Sequence, residues 1–306
     1  RIARRQRQMC IRDSFIVAMK PAYTNTHRKA SNRRRSKRQV RRVKRVLFVV
    51  VIGIVSAAAY SIVKSIDLMD TTSAEDQFPY GSIQELSNME TFMAAYLSVN
   101  CKSDLLDRTQ TIRAVGTIES GGHSLSFTLI KKRPDKMRFT MKEGSQEIIF
   151  GVSADTVWQL IRAPRQEDQF ARIEGEEAVT WMSQARFFDW IISASQGKGE
   201  IVGIEVEQWS GNDSIKVRVI DDFGNNYAIL IDPQTLYPLA ERLTLPNGKV
   251  TETIFNDYRD VDGLPTPFKL TISREGKIVS KIQLKNASIN PGILSHLFEL
   301  PNALLQ

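Results

Sequence analysis

Apolar and polar positions alternate with a period of two through most of the chain after residue 120. Leu125, Phe127 and Leu129 alternate with Ser124, Ser126 and Thr128, and Met137, Phe139 and Met141 with Arg138, Thr140 and Lys142. Ile215, Val217 and Val219 do the same with Lys216 and Arg218. That period belongs to a strand with one dry and one wet face. Further runs at Tyr227–Ile231, Leu239–Leu245, Val250–Phe255, Phe268–Ile272 and Ile278–Leu284 are divided by turn residues such as Asn247-Gly248 and Glu275-Gly276. About ten or eleven strands joined by short connections predict an antiparallel sheet, and a sheet of that width must curl. Two segments carry helical spacing instead. Leu86, Met89, Met93, Tyr96 and Leu97 recur at threes and fours, and Glu176–Ser195 sets Val179, Met182, Phe187, Trp190 and Ile191 at similar intervals behind Glu176 and Glu177. The second predicts a helix inserted between strands, whose Trp181, Phe187 and Trp190 either join an ordinary core or line a cavity that the helix covers.

Before all this stands one uncharged run, VLFVVVIGIVSAAAYSIV, residues 46–63. As a helix it is about 27 Å long, the depth of a bilayer's hydrocarbon. Arg41, Arg42, Lys44 and Arg45 precede it and Lys64 follows. The excess of positive charge before the run places the N-terminus in the cytoplasm and the remainder outside. The run reads as a retained anchor. Ser56-Ala57-Ala58-Ala59 also supplies the small residues a signal peptidase accepts, so a cleaved export signal is the alternative. Residues 1–45 form a basic tail, 64–85 a polar linker, and 86–306 the folded domain. Met19 is an available start, which would leave residues 1–18 untranslated.

Charge sharpens this division. The chain's net +8 combines a tail with 17 Lys/Arg and one acid, Asp13, with a remainder that is net −8. The basic surplus is therefore no nucleic-acid surface of the domain. Arg33-Arg34-Arg35-Ser36-Lys37-Arg38 reads as a topology signal in a disordered tail, with contact to anionic headgroups or nucleic acid as the alternative. Cys10 and Cys101 lie on opposite sides of the apolar run, so no intrachain disulfide is expected, and neither is placed for lipid modification.

Candidate chemistry is sparse. Three histidines, His27, His123 and His296, are scattered, and no spacing suggests a metal site, a cofactor, a nucleophile elbow or a phosphate loop. Gly197-Lys198-Gly199 precedes a strand rather than opening a helix, unlike a dinucleotide loop. Asp221-Asp222, Asp257, Asp260 and Asp262 stand among turn residues, where carboxylates cap backbone N–H groups. A non-enzymatic, monomeric binding protein is expected.

Three motifs carry a resemblance. Lys131-Lys132-Arg133-Pro134-Asp135-Lys136-Met137-Arg138-Phe139 couples a strand ending in Lys-Arg-Pro to an apolar–basic–aromatic restart. Val152-Ser153-Ala154-Asp155-Thr156-Val157-Trp158 gives a strand, an Asp turn and a strand reaching Trp, and His296-Leu297-Phe298-Glu299-Leu300-Pro301 closes the chain. Together, over residues 86–301, they resemble the LolA/LolB family of periplasmic lipoprotein carriers. The resemblance implies an α+β, mostly β fold: an incomplete antiparallel barrel with helices over its concave face, taking acyl chains and doing no chemistry. It implies that Arg133 locks the lid by donating to lid carbonyls. It implies cavity residues among Phe127, Leu129, Met137, Phe139, Met141, Trp158, Trp181, Phe187 and Trp190. The partners implied are an acylated lipoprotein or lipid, the inner membrane through residues 46–63, and a membrane-protein partner. The anchor departs from the freely shuttling carriers. An envelope sensor of the same fold and a structural envelope protein filled by its own side chains are the rival readings.

Overall fold

The structure is a computed structural model and describes residues 77–100, 107–244 and 248–300. The apolar run 46–63 and the basic tail lie outside these residues. Among the described residues no helix is long and apolar enough to cross a membrane.

A short hairpin, β1 (Gln77–Phe78) and β2 (Gly81–Ser82), leads into α1 (Ile83–Leu86) and α2 (Met89–Asn100). The first amphipathic segment is thus two helices. Ser82 and Glu85 form a reciprocal capping box on α1, and Asn88 Oδ1 accepts from Thr91 N at 3.2 Å, which caps the start of α2. Six strands follow: β3 (Thr111–Ser120), β4 (His123–Lys132), β5 (Lys136–Glu143), β6 (Gln146–Ser153), β7 (Thr156–Arg162) and β8 (Gln169–Ile173). Helices α3 (Gly175–Gln184) and α4 (Trp190–Ser195) come next. Then come β9 (Gly199–Trp209), β10 (Asn212–Asp221), β11 (Asn226–Ile231), β12 (Pro238–Thr244), β13 (Val250–Val261), β14 (Leu264–Arg274), β15 (Lys277–Ile289) and a 3-10 turn, Ser295–Phe298.

Thirteen of these strands make one open antiparallel sheet, ordered β8-β7-β6-β5-β4-β3-β15-β14-β13-β12-β11-β10-β9. That exceeds the expected ten or eleven. The strands without a run in the sequence pattern are β3 and β8, where Gly116 and charged residues such as Arg113, Glu119 and Arg172 blur the alternation. Several joints are two-residue turns with positive φ at both positions: Gly121-Gly122 closes the pair Ser120↔His123, and Glu275-Gly276 closes Arg274↔Lys277. Such turns carry the right-handed twist of the strands they join.

The order has one long crossing. β8 and β9 are consecutive in sequence but form opposite edges of the sheet, so residues 174–198, which hold α3 and α4, pass from one edge to the other. The sheet curls to make this crossing short. Asp135, in the β4–β5 turn, and Asp222, in the β10–β11 turn, are at least six strand spacings apart along the sheet. Laid flat that is about 29 Å, yet the Arg186 guanidinium bonds both. The helices therefore lie on a concave face.

Pairing fixes which residues share that face, because directly opposed residues point the same way. One row runs Ala114, Leu129, Phe139, Phe150, Gln159, and another Glu241, Ile229, Val217, Ile204. On the opposite face of β9–β13 Lys216 pairs with Glu205 and Glu207, and Arg242 with Glu207 and Glu252. A one-residue slip would bury this charged ladder and expose the core.

The opposite face of β4–β7 is covered by the C-terminal segment. Lys132 Nζ donates to Ile293 O at 3.1 Å, Arg138 Nη1 to Leu297 O at 2.9 Å and Trp158 Nε1 to Phe298 O at 3.2 Å. The Trp158 indole lies over Gly151, its cross-strand partner, so closely that a Cβ there would sit 2.0 Å from the ring. Gly151→Ala is expected to displace the indole and cost about 2–3 kcal/mol. Urea unfolding checks this, and an unchanged midpoint would contradict the packing described.

Candidate functional site

The predicted residues separate into four places. Phe127, Leu129, Met137, Phe139 and Met141 all lie on the concave face of β4 and β5 and are at most 3% exposed. Trp181 of α3 joins them, stacked on Phe150 with centroids 4.2 Å apart and 6.4 Å from Phe139. Phe187 sits in the break between α3 and α4, packed with Ile112 and edge-on to Phe188. Trp190 lies across the concave face, stacked on Tyr227 at 4.2 Å within the cluster that α1, α2 and α4 make on β10–β12. Trp158 does not belong with them. Paired with Gly151, it points to the opposite face, where Ile149, Leu160, Phe170 and Leu300 surround it. The alternation of β7 could not reveal this, because five consecutive residues, Val157–Ile161, are buried.

The single helix expected over Glu176–Ser195 is broken at residues 185–189. Asp189 causes the restart: its Oδ1 accepts from Ile192 N at 2.9 Å and caps α4. The break is the most heavily bonded part of the crossing. Arg186 Nη1 donates to Asp135 Oδ2 at 2.8 Å and Nη2 to Asp222 Oδ2, while the guanidinium lies 5.0 Å from the Phe223 ring centroid. Asp135 Oδ1 accepts from Phe187 N at 3.0 Å, and Lys198 Nζ reaches Asp135 Oδ2 at 2.6 Å. Arg133 stands against the same break, its guanidinium 4.5 Å from the Phe188 ring centroid and 5.4 Å from that of Phe187. Lys131, two residues earlier, donates from Nζ to the Arg186 carbonyl. The sequence signal for Lys131 was its place in the strand: it occupies a core-facing position of β4, in step with Leu125, Phe127 and Leu129.

A buried polar group lies under the break. Lys131, Asp189 and Glu241 are all at most 5% exposed. Trp190 Nε1 donates to Glu241 Oε2 at 2.9 Å, and Ser183 links Asp221 and Tyr227 at 2.6 and 3.1 Å. Burial pushes the Lys131 ammonium down to about 7, against the pull of Asp135, Asp189 and Glu241. Burial likewise pushes the Asp189 carboxyl up to about 7, opposed by the Ile192 and Ile191 N–H groups and the Tyr96 hydroxyl. The two shifts act on stability with opposite signs. For Asp189, whose folded value exceeds its ordinary 3.8, the contribution is complete below that value and lost as pH rises through about 7. For Lys131, whose folded value lies below 10.5, it is complete above that value and lost as pH falls through about 7. Asp189→Asn, which keeps the capping oxygen, is expected to flatten the fall in stability between about pH 4 and 7. Lys131→Met should flatten the rise between about pH 7 and 10. Unfolding midpoints across pH check both, and variant profiles parallel to the parent's would contradict the assignment.

The turn carboxylates accept from backbone N–H groups, as the sequence suggests, at three positions: Asp221 Oδ1 from Phe223 N and Asn225 N, Asp260 Oδ1 from Gly263 N and Asp262 Oδ2 from Ile289 N. Among the described residues no group of three or more His, Cys, Asp or Glu is placed to hold a metal ion. An open pocket of about 400 Å³ between residues 119–124 and 278–281 includes none of the predicted residues.

No family model matches the sequence, and no curated protein matches it. Solved structures do resemble the fold. A DUF1329 family protein from Desulfovibrio piger is 16% identical, with 66% of this chain and 94% of that one covered and a TM-score of 0.41. A LolA superfamily protein from Nitrosomonas europaea is 10% identical, with 65% and 90% covered and a TM-score of 0.41. The Pseudomonas aeruginosa MucA/MucB complex is 12% identical, with 69% and 62% covered and a TM-score of 0.24.

Proposed function

We propose that this chain is a lipid- or lipoprotein-binding carrier that shelters acyl chains between the concave face of its curled sheet and the α3–α4 crossing. One observation carries the reading. The largest apolar side chains of β4–β6 face a helical segment that is strapped at its middle by side chains and turns, so the apolar face has a cover built to be separate from the sheet. Displacing that cover and burying an acyl chain would gain about 0.8 kcal/mol per methylene, enough over a long chain to offset the packing between cover and sheet. The bilayer-length run 46–63 supports tethering to the inner membrane with the N-terminus cytoplasmic and the domain periplasmic, and a tethered carrier hands cargo over only within reach of its linker. Outer-membrane lipoprotein sorting is the task this arrangement suits.

A second reading draws on the packing itself. Phe139, Phe150 and Trp181 fill the space in front of β5 and β6 by packing their rings on one another, as they would in a structural domain. Native mass spectrometry with lipid extraction separates the two. Co-purifying acylated species support the carrier, and a clean mass that refuses added lipid supports the structural domain.

A further inference from the structure

Lys131 is an expensive residue for a purely structural position. Its side chain is fully buried, it is directly opposed to Met137 across the β4–β5 pair, and it lies in the same face as Leu129 and Phe127. A methionine or leucine would pack there without the cost of desolvating an ammonium. What holds the ammonium is also unusual. Among the described residues Nζ makes one hydrogen bond, to the Arg186 carbonyl, although it has three donors. That carbonyl belongs to the crossing segment, the element that must move if anything is to reach the apolar face.

The hydrogen bonds of the surrounding acids go to other groups, although Asp189 keeps one buried oxygen, Oδ2, outside them. Asp135 is held by Arg186 and Lys198, Glu241 accepts from Trp190, and Asp189 caps its own helix. They moderate the charge of Lys131 at a distance but none is hydrogen-bonded to it. Lifting the break would therefore leave a desolvated ammonium, unbonded, at one end of an apolar surface. A single oxygen anion on an apolar tail satisfies both parts at once.

We infer that Lys131 anchors the head of the cargo, and that the cargo is an amphiphile with an anionic oxygen head, a carboxylate or a phosphate, whose oxygen replaces the Arg186 carbonyl on Nζ. This rests on the carrier reading and adds the class of ligand to it. The closed state uses the main chain as a stand-in for the head. Charge-assisted hydrogen bonds in a dry site are strong enough to set a preference for the anion over a neutral ester of the same tail.

Tryptophan quenching by brominated lipids tests this, because all four tryptophans lie between residues 158 and 209, away from the apolar run. The full chain in dodecyl maltoside is titrated with 9,10-dibromostearate and with its methyl ester, then with dibrominated phosphatidate and the matching neutral diglyceride. The expected result is tighter binding of the anion by about tenfold in at least one pair, with the preference lost in Lys131→Met while the neutral ligand still quenches. Preference in the first pair alone identifies a carboxylate head, and in the second alone a phosphate. Equal quenching by anion and neutral ligand in both pairs would overturn the inference and leave the carrier reading standing. A preference that survives in Lys131→Met would also overturn it. If no ligand quenches the parent chain, the carrier reading itself fails. Should Lys131→Met not fold, the anion and ester comparison in the parent chain still decides.

Discussion

Replacing Arg186 with methionine is expected to release residues 175–195 from the sheet while the strands stay paired. The guanidinium, 10% exposed, ties the β4–β5 turn to the β10–β11 turn through Asp135 and Asp222. Methionine keeps the aliphatic stem but leaves both carboxylates facing a site built for a cation. Removing the largely buried guanidinium from this cluster, whose Asp135 is 22% and Asp222 41% exposed, costs about 3 kcal/mol. Because the loss falls on one segment, it should appear as local opening: amides of α3 and α4 would exchange with deuterium about a hundredfold faster, and those of β4, β5 and β10 would change little. Uniform acceleration across the sheet would mean that Arg186 supports the whole fold rather than its cover, and no change would mean that the crossing is held elsewhere.

Trp181→Ala carries the other large effect. The indole is 3% exposed and stacked on Phe150, so truncation removes the ring contact and leaves a void against β5 and β6, at a cost of about 3–5 kcal/mol. The informative comparison is Trp158→Ala. That ring is equally buried, and its loss should cost a similar amount, but it faces the C-terminal segment on the other side of the sheet. Urea midpoints should fall in both variants, whereas binding of an amphiphile should change only in Trp181→Ala. If Trp158→Ala altered binding as much, the assignment of the two faces would be wrong.

The contrast between these tryptophans also shows what the sequence could and could not reveal. Strict alternation placed Phe127, Leu129, Met137, Phe139 and Met141 on one face, because the other face of β4 and β5 is polar enough to mark the period. In β7 both faces are covered, one by the crossing segment's side of the molecule and the other by residues 293–300, so the period vanishes and Trp158 cannot be assigned. The break between α3 and α4 was similarly hidden. Arg186, Phe187 and Phe188 continue a helical-looking spacing, and the capping role of Asp189 shows only once its side chain is seen on Ile192 N. Lys131 stood in plain view within the Lys-Lys-Arg-Pro motif. Its parity with Leu129 marked it as inward-facing, but a lysine next to two other cations reads as surface until the strand pairing is known.

In the proposed carrier the acyl chain lies on the concave face under the crossing. Photo-crosslinking the full chain with an amphiphile that carries a diazirine midway along its tail, followed by peptide mapping, tests it most directly. Within residues 77–300 adducts are expected on β4, β5 and α3, at Phe127 to Met141 and around Trp181. Adducts confined to the opposite face, at Trp158, Leu160 and Phe170, or no adducts within these residues at all, would contradict it.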